Sequence, residues 1–276
     1  MLFPLYDLNP TQRISWVTYA LITANLAIFV WVGTLGPLEQ QDVVYNHGFI
    51  PVRMAQIQQG KPLVVQIPAE QQFRVRDRVM VVPAKRQIAL DPDPPAILLT
   101  FISAMFLHGS WLHVLGNMWF LWIYGNNIED RIGHIPYLLF YLLGGVTATV
   151  VHYFTEPNSV LPVIGASGAV AAVLGAYAVT FPAARVRSLL FLGILITVID
   201  VPALVVLGLW FIAQLLEAQQ VVPGNLNGGV AWWAHVGGFV AGAALIGVFG
   251  MAKLSDEDDD PDAWRNWDGL APQHKE

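Results

Sequence analysis

The sequence predicts an all-α polytopic membrane protein, a bundle of six transmembrane helices with a small, β-rich extramembrane insert between the first and second. Three observations predict it. Of 276 residues, 55% are hydrophobic and only 12% charged, where soluble domains carry roughly 25% charged residues. The mean hydropathy is +0.52, so other polar groups do not replace the missing charges. The apolar residues also gather in runs near the roughly 20 needed to cross a bilayer. Cysteine is absent, which excludes disulfides and thiolate metal sites.

Residues 1–13 read as a cytoplasmic N-terminus and 14–35 as the first transmembrane helix, its span at about 16–35. Further spans follow and no small-residue cleavage site ends it, so it does not read as a cleaved signal peptide. Residues 36–95 form a polar extramembrane insert. Within it, 61–70 and 73–83 alternate apolar and polar residues, Val75, Val79 and Val81 among them, as a small β-hairpin does. Residues 96–252 carry transmembrane helices two to six.

The stretch from Pro94 to Ile128 has no Asp, Glu, Lys or Arg and is too long for one upright helix. Its first part reads as a membrane-associated loop and 111–127 as the second helix. The third spans 135–154, the fourth 166–181, stopped by Pro182, and the last 231–251. Between them, 188–216 holds Asp200 and Pro202. One span at about 202–216 after an interfacial segment makes six crossings; two short spans would make seven. Six is preferred, because an unpaired charge in mid-membrane is costly. Residues 253–276 read as an acidic cytoplasmic tail, with 256–260 solvated and disordered.

The insert holds seven of the 14 Lys and Arg residues. Short loops near span ends weigh more in setting orientation, and Arg13, Arg131, Arg185, Arg187 and Lys253 all fall on the opposite side. Both termini are therefore placed in the cytoplasm and the insert outside.

Polar residues within apolar spans mark function. Helix two carries His113 and Asn117, with His108 just before it. Helix four opens with Gly165-Ala166-Ser167-Gly168, and helix six carries Ala234-His235-Val236-Gly237-Gly238. In a six-span protein these three helices enter from one face, so the polar groups share a depth just below the outer surface. His113 and Asn117, four apart, share a helix face. Small residues at Ser167, Ala171, Gly175 and Ala178, and the pair Gly238 and Gly242, allow close helix approach.

Such a meeting has a chemistry. A serine hydroxyl becomes a nucleophile when a base takes its proton, and histidine suits that task near neutrality. The side chains of Asn117 and His113, and the Ser167 backbone N–H, can donate to an oxyanion. Gly165 and Gly168 let a substrate backbone come close.

Each residue alone has a blander reading. A membrane serine usually bonds its own helix, and a lone membrane histidine or asparagine, as at His152, often only joins helices. His47, His134 and His274 read as surface residues, and most of the ten tryptophans, Trp232 and Trp233 above all, as interfacial anchors. His108, His113 and His235 offer a metal site as an alternative, without a His-Glu-x-x-His motif or a carboxylate at their depth. Asp200 precedes a helix entering from the cytoplasmic side, which puts it across the bilayer from Ser167 and leaves a Ser-His dyad.

In their order on alternate helices, His108, His113 and Asn117, then Gly165 to Gly168, then Ala234 to Gly238, resemble the rhomboid intramembrane serine proteases, in the bacterial pattern. The resemblance covers about residues 12–252 apart from the insert. It implies a six-helix core with a water-filled cavity open to the outside. It also implies a serine-type endopeptidase that cleaves peptide bonds in or near substrate transmembrane segments without cofactor or metal. Ser167 matches the nucleophile, His235 the general base, His113 and Asn117 the oxyanion-stabilising positions, and His108 a further histidine near the active site. The partners implied are transmembrane protein substrates and membrane lipids, not nucleic acid, and the location a bacterial cytoplasmic membrane, with an organelle membrane as the alternative.

Two features depart from some members. Ala171 stands where a tyrosine stacks on the catalytic histidine, so another group must orient His235. No tryptophan lies between Trp31 and Trp111 to hold the first outer loop. Two rival readings are an inactive relative that binds membrane segments, which usually lacks the serine or the histidine, and a transporter, for which no internal repeat is visible.

Overall fold

The computed structural model describes residues 2–75, 78–192, 195–219 and 231–253. The expected tail lies outside them apart from Lys253, as does His274. In chain order the elements are strand β1 (Leu2–Asp7), helices α1 (Trp16–Gly33), α2 (Pro37–His47) and α3 (Gln56–Gln59), and strands β2 (Leu63–Val75) and β3 (Arg78–Leu90). Helices α4 (Pro94–Ser103), α5 (Trp111–Ile132), α6 (His134–Thr155) and α7 (Ser167–Thr180) follow. Strands β4 (Arg185–Leu192) and β5 (Leu195–Pro202) and helices α8 (Ala203–Gln219) and α9 (Trp232–Lys253) complete them.

The protein is mostly helical. Among the described residues three helices, α1, α6 and α9, are long and apolar enough to cross a membrane, and the pair α4–α5, bent by 81° at its break, makes a fourth candidate. Helices α7 and α8 are apolar but shorter. The outer faces carry exposed Leu112, Ile135, Leu139, Leu209 and Val248, as a surface solvated by lipid does.

Helix α7 is the centre of the bundle. Its 14 residues reach about 21 Å, short of the roughly 30 Å hydrocarbon core. Every residue from Ala169 to Ala178 is buried, so neighbouring helices rather than lipid surround it. Its small side chains let α9 approach to backbone contact. A Cβ on Gly238 would overlap the Gly168 carbonyl, and one on Gly242 the Ala172 carbonyl. Both members step by four in the same sense, so the two helices run parallel and start at the same end of the bundle.

Helix α1 is tied to α5 by a buried carboxylate. Glu129 accepts from the backbone N–H groups of Val17 (2.8 Å) and Thr18 (2.7 Å) and from the Thr18 hydroxyl (2.7 Å). It thereby satisfies first-turn donors that have no partner inside α1.

Three stretches differ from the sequence reading. The membrane-associated loop expected before helix two is α4, which starts with Pro94 and Pro95. Proline there gives up an N–H that would be unpaired anyway and presets the helical φ. The segment 188–216 has the single helix expected, α8, but the part before it is strand, β4 pairing antiparallel with β5 from Arg185↔Pro202 to Leu192↔Leu195. The N-terminus contributes β1, which joins β4 and β5 in the order β1-β4-β5, running antiparallel to β4 from Leu2↔Leu190 to Asp7↔Val186. This sheet closes the C-terminal end of α7: the Tyr177 hydroxyl donates to Asp7 (2.8 Å) and the Trp119 indole to the Pro4 carbonyl (2.9 Å). Asp200 is bound here by Arg187 (Nε to Oδ1, 2.7 Å).

The opposite end carries β2 and β3, paired from Leu63↔Leu90 to Val75↔Arg78. Ile50, Val65, Ile67, Ile88 and Leu90 form a separate small core beneath them. Phe49 and Val163 exchange backbone hydrogen bonds (3.0 and 2.7 Å), fastening this unit to the loop leading into α7.

Candidate active site

The N-termini of α5, α7 and α9 and the two loops that feed them meet at one end of the bundle. At the start of α5, the Ser110 hydroxyl caps the helix by accepting from the His113 N–H (3.2 Å). This holds His113 in the first turn, with Asn117 one turn further.

Gly165 turns the chain into α7. Its φ is +124°, a conformation open to glycine, and its N–H donates to the Ala104 carbonyl (2.9 Å). A Cβ here would sit 2.7 Å from His113 Nε2 and 3.7 Å from Ser167 Oγ. The imidazole of His113 and the hydroxyl of Ser167 therefore flank one point. His108 braces this corner. Its Nε2 accepts from the Asn117 amide (3.1 Å) and the Ala166 N–H (3.3 Å), so its proton resides on Nδ1. The rings of His108 and His113 meet edge to face at 5.0 Å.

Ser167 opens α7, and its backbone N–H belongs to the first turn, where donors lack intrahelical partners and the helix dipole is positive. His235 lies in the first turn of α9, 7% exposed. The residue before it, Ala234, lies against Gly168: a Cβ on Gly168 would be 3.9 Å from the Ala234 carbonyl oxygen. Ser167 and His235 thus each adjoin a member of one contact between parallel helices. No hydrogen bond joins them, and His235 Nε2 is buried without a partner. The other ring nitrogen, Nδ1, donates to the Gln214 amide oxygen of α8 at 2.6 Å.

The expected residues His108, His113, Asn117, Gly165, Ser167, Gly168 and His235 thus come to one end of the bundle. Among the described residues, no three His, Asp or Glu side chains group as metal ligands. Asp200 is at the other end, as expected, and His152 is buried within α6. His134 is partly exposed, as a surface residue is, and its Nδ1 also meets Glu129 at 2.5 Å.

Sequence reasoning missed Gln214. The available signal was an amide on the otherwise apolar 203–216, four residues after Trp210. Asp200 drew attention in that stretch because it carries a charge.

A short, buried helix opening with a serine, in a polytopic membrane bundle, defines a class of membrane protein rather than a soluble hydrolase. Residues 96–252 match the family model described as the Rhomboid domain. The chain belongs to the rhomboid family, a family of intramembrane serine proteases that also has inactive members. It is 28% identical over 168 residues to Rhomboid-like protein 11, chloroplastic, of Arabidopsis thaliana, covering 58% of this chain and 55% of that one. It is 30% identical over 190 residues to Presenilin-associated rhomboid-like protein A, mitochondrial, of Danio rerio, covering 66% and 43%. With Rhomboid protease GluP of Bacillus subtilis (strain 168) it shares 31% over 158 residues, covering 56% and 28%. The matches thus span about half or less of these relatives' own length.

Proposed function

We propose that this protein is an intramembrane serine endopeptidase that cleaves peptide bonds in or near the transmembrane segments of other membrane proteins by a Ser167–His235 dyad. The observation that carries this reading is the unpartnered, buried Nε2 of His235, one helix contact away from the hydroxyl of Ser167. Their helices meet at the Gly168–Ala234 contact, and catalytic hydrogen bonds often tighten only in the complex with substrate. Family membership supports the same reading.

In the proposed reaction the substrate helix unwinds locally, because a helical amide is shielded by its own hydrogen bonds. Ser167 Oγ attacks the scissile carbonyl while His235 Nε2 takes its proton and then passes it to the leaving amine. The oxyanion develops between the Ser167 N–H and the side chains of His113 and Asn117. His108 holds Asn117 and the Ala166 backbone, and so acts by positioning them. Gly165 and Gly168 leave room for the substrate backbone. Water hydrolyses the acyl-enzyme, and no step calls for a cofactor or metal.

The six crossings proposed are α1, α5, α6, α7, α8 and α9, with α4 a helix leading into α5 and the β2–β3 unit outside the bilayer. The end bearing Arg13, Arg131, Arg185 and Arg187 is taken as cytoplasmic, in a bacterial cytoplasmic membrane, although the relatives include chloroplastic and mitochondrial proteins beside a bacterial one.

The test is labelling of the purified full chain, in detergent and in lipid bilayers, with a fluorophosphonate probe. Wild type is expected to label, and Ser167→Ala and His235→Ala are expected to lose labelling while keeping their melting temperatures. A folded wild-type chain that fails to label in bilayers would turn the reading to a protein that binds membrane segments without cutting them.

A further inference from the structure

We infer that Gln214 is the residue that orients the catalytic base, through the hydrogen bond between its amide oxygen and His235 Nδ1. This inference rests on the Ser167–His235 reading. A neutral imidazole has one N–H and one lone pair, and only the tautomer protonated at Nδ1 leaves Nε2 free to accept a proton. An acceptor at Nδ1 selects that tautomer. Gln214 supplies it at 2.6 Å, and the residue itself is only 9% exposed.

The surroundings make this contact the polar tether of the ring. The indoles of Trp210, one helical turn before Gln214, and Trp232 approach the imidazole at 6.1 and 5.7 Å, the latter at right angles. Both offer apolar surface without an acceptor. Ala171, on α7, has no ring to stack on the imidazole. The ionisable groups that act on His235 are His113 of α5 and His152 of α6, and no carboxylate does so among the described residues. The orienter is therefore a neutral amide. It fixes the ring without the charge that would stabilise an imidazolium, which sets it apart from the aspartate of a triad.

Two substitutions test the role, with the rate of fluorophosphonate labelling followed against pH. Gln214→Met keeps the length and removes the acceptor. Labelling should slow by about 10- to 100-fold, part of what a general base provides, with little change in half-saturating probe concentration or melting temperature. Gln214→Glu restores an acceptor of the same reach and adds charge. It should recover labelling, and the acid limb of its pH profile should move to higher pH, because a carboxylate at Nδ1 favours the protonated ring.

A wild-type rate in Gln214→Met, or an unmoved acid limb in a folded Gln214→Glu, overturns the assignment. If Gln214→Met fails to fold, the limb of Gln214→Glu decides. Ser167→Ala separates the two levels of argument. If it labels like wild type, the dyad reading itself falls; if it is silent while Gln214→Met labels normally, only the role of Gln214 falls.

Discussion

At Glu129 a single carboxylate, 1% exposed, meets two backbone amides, a hydroxyl and an imidazole. Removing it leaves the amides of Val17 and Thr18 buried without acceptors, which costs far more than a surface hydrogen bond. Glu129→Ala should lose about 3 kcal/mol or more of stability, read from reversible unfolding in mixed micelles. Asp7 shows the opposite economy of charge. Burial pushes its carboxyl up to about 6, against a lowering by the Tyr177 hydroxyl bond. A carboxyl raised in the folded state contributes stability that is complete below its unfolded value, near 4. That contribution is lost as pH rises through about 6. Between pH 4 and pH 7 the wild type should therefore lose on the order of 2 kcal/mol that Asp7→Asn keeps. Melting curves of the two proteins at each pH check this; a constant difference between them would remove Asp7 from the account.

At the scale of elements, the bundle depends on how closely α7 and α9 approach. Gly242→Ala puts a methyl into the Ala172 carbonyl, and overpacking of this kind costs about 1–3 kcal/mol. Gly247, on the same helix, has nothing within 4 Å of its would-be Cβ. Gly247→Ala should leave the unfolding midpoint unchanged or raised, so the pair separates packing from helix propensity. The small residues behind this contact were readable in the sequence because they recur at helical spacing. Other elements were not. The run from Pro94 is too long for one upright helix, so its first part reads as a loop, although proline at a helix start is favourable. β1 contains Pro4, and its partner strand lies about 180 residues away, so nothing local to 2–7 signals a strand. The 188–216 stretch was open only between one span and two, and its strands escaped notice because apolar strands and short apolar helices share composition. The structure separates them at Pro202, where the hairpin ends and α8 begins.

For the whole molecule, two unlike ends follow from one parallel packing. One end gathers the starts of α5, α7 and α9 with their histidines and serine. The other gathers the sheet, the ion pair of Arg187 and Asp200, and the Asp7–Tyr177 contact. The residue types of the first end were legible because polar groups are rare in apolar spans. Their mutual orientation was not: neither Gln214's reach to His235 nor His108's double acceptance can be read from spacing. The tie between α1 and Glu129 carries a consequence for the time course of synthesis. Thr18 and Glu129 are 111 residues apart in the chain. A ribosome finishes α1 long before it makes the carboxylate that satisfies the start of that helix. Until Glu129 is made, the amides of Val17 and Thr18 at the start of α1 lack the acceptor that satisfies them in the fold. Nascent chains that end before residue 129 therefore carry α1 without this tie.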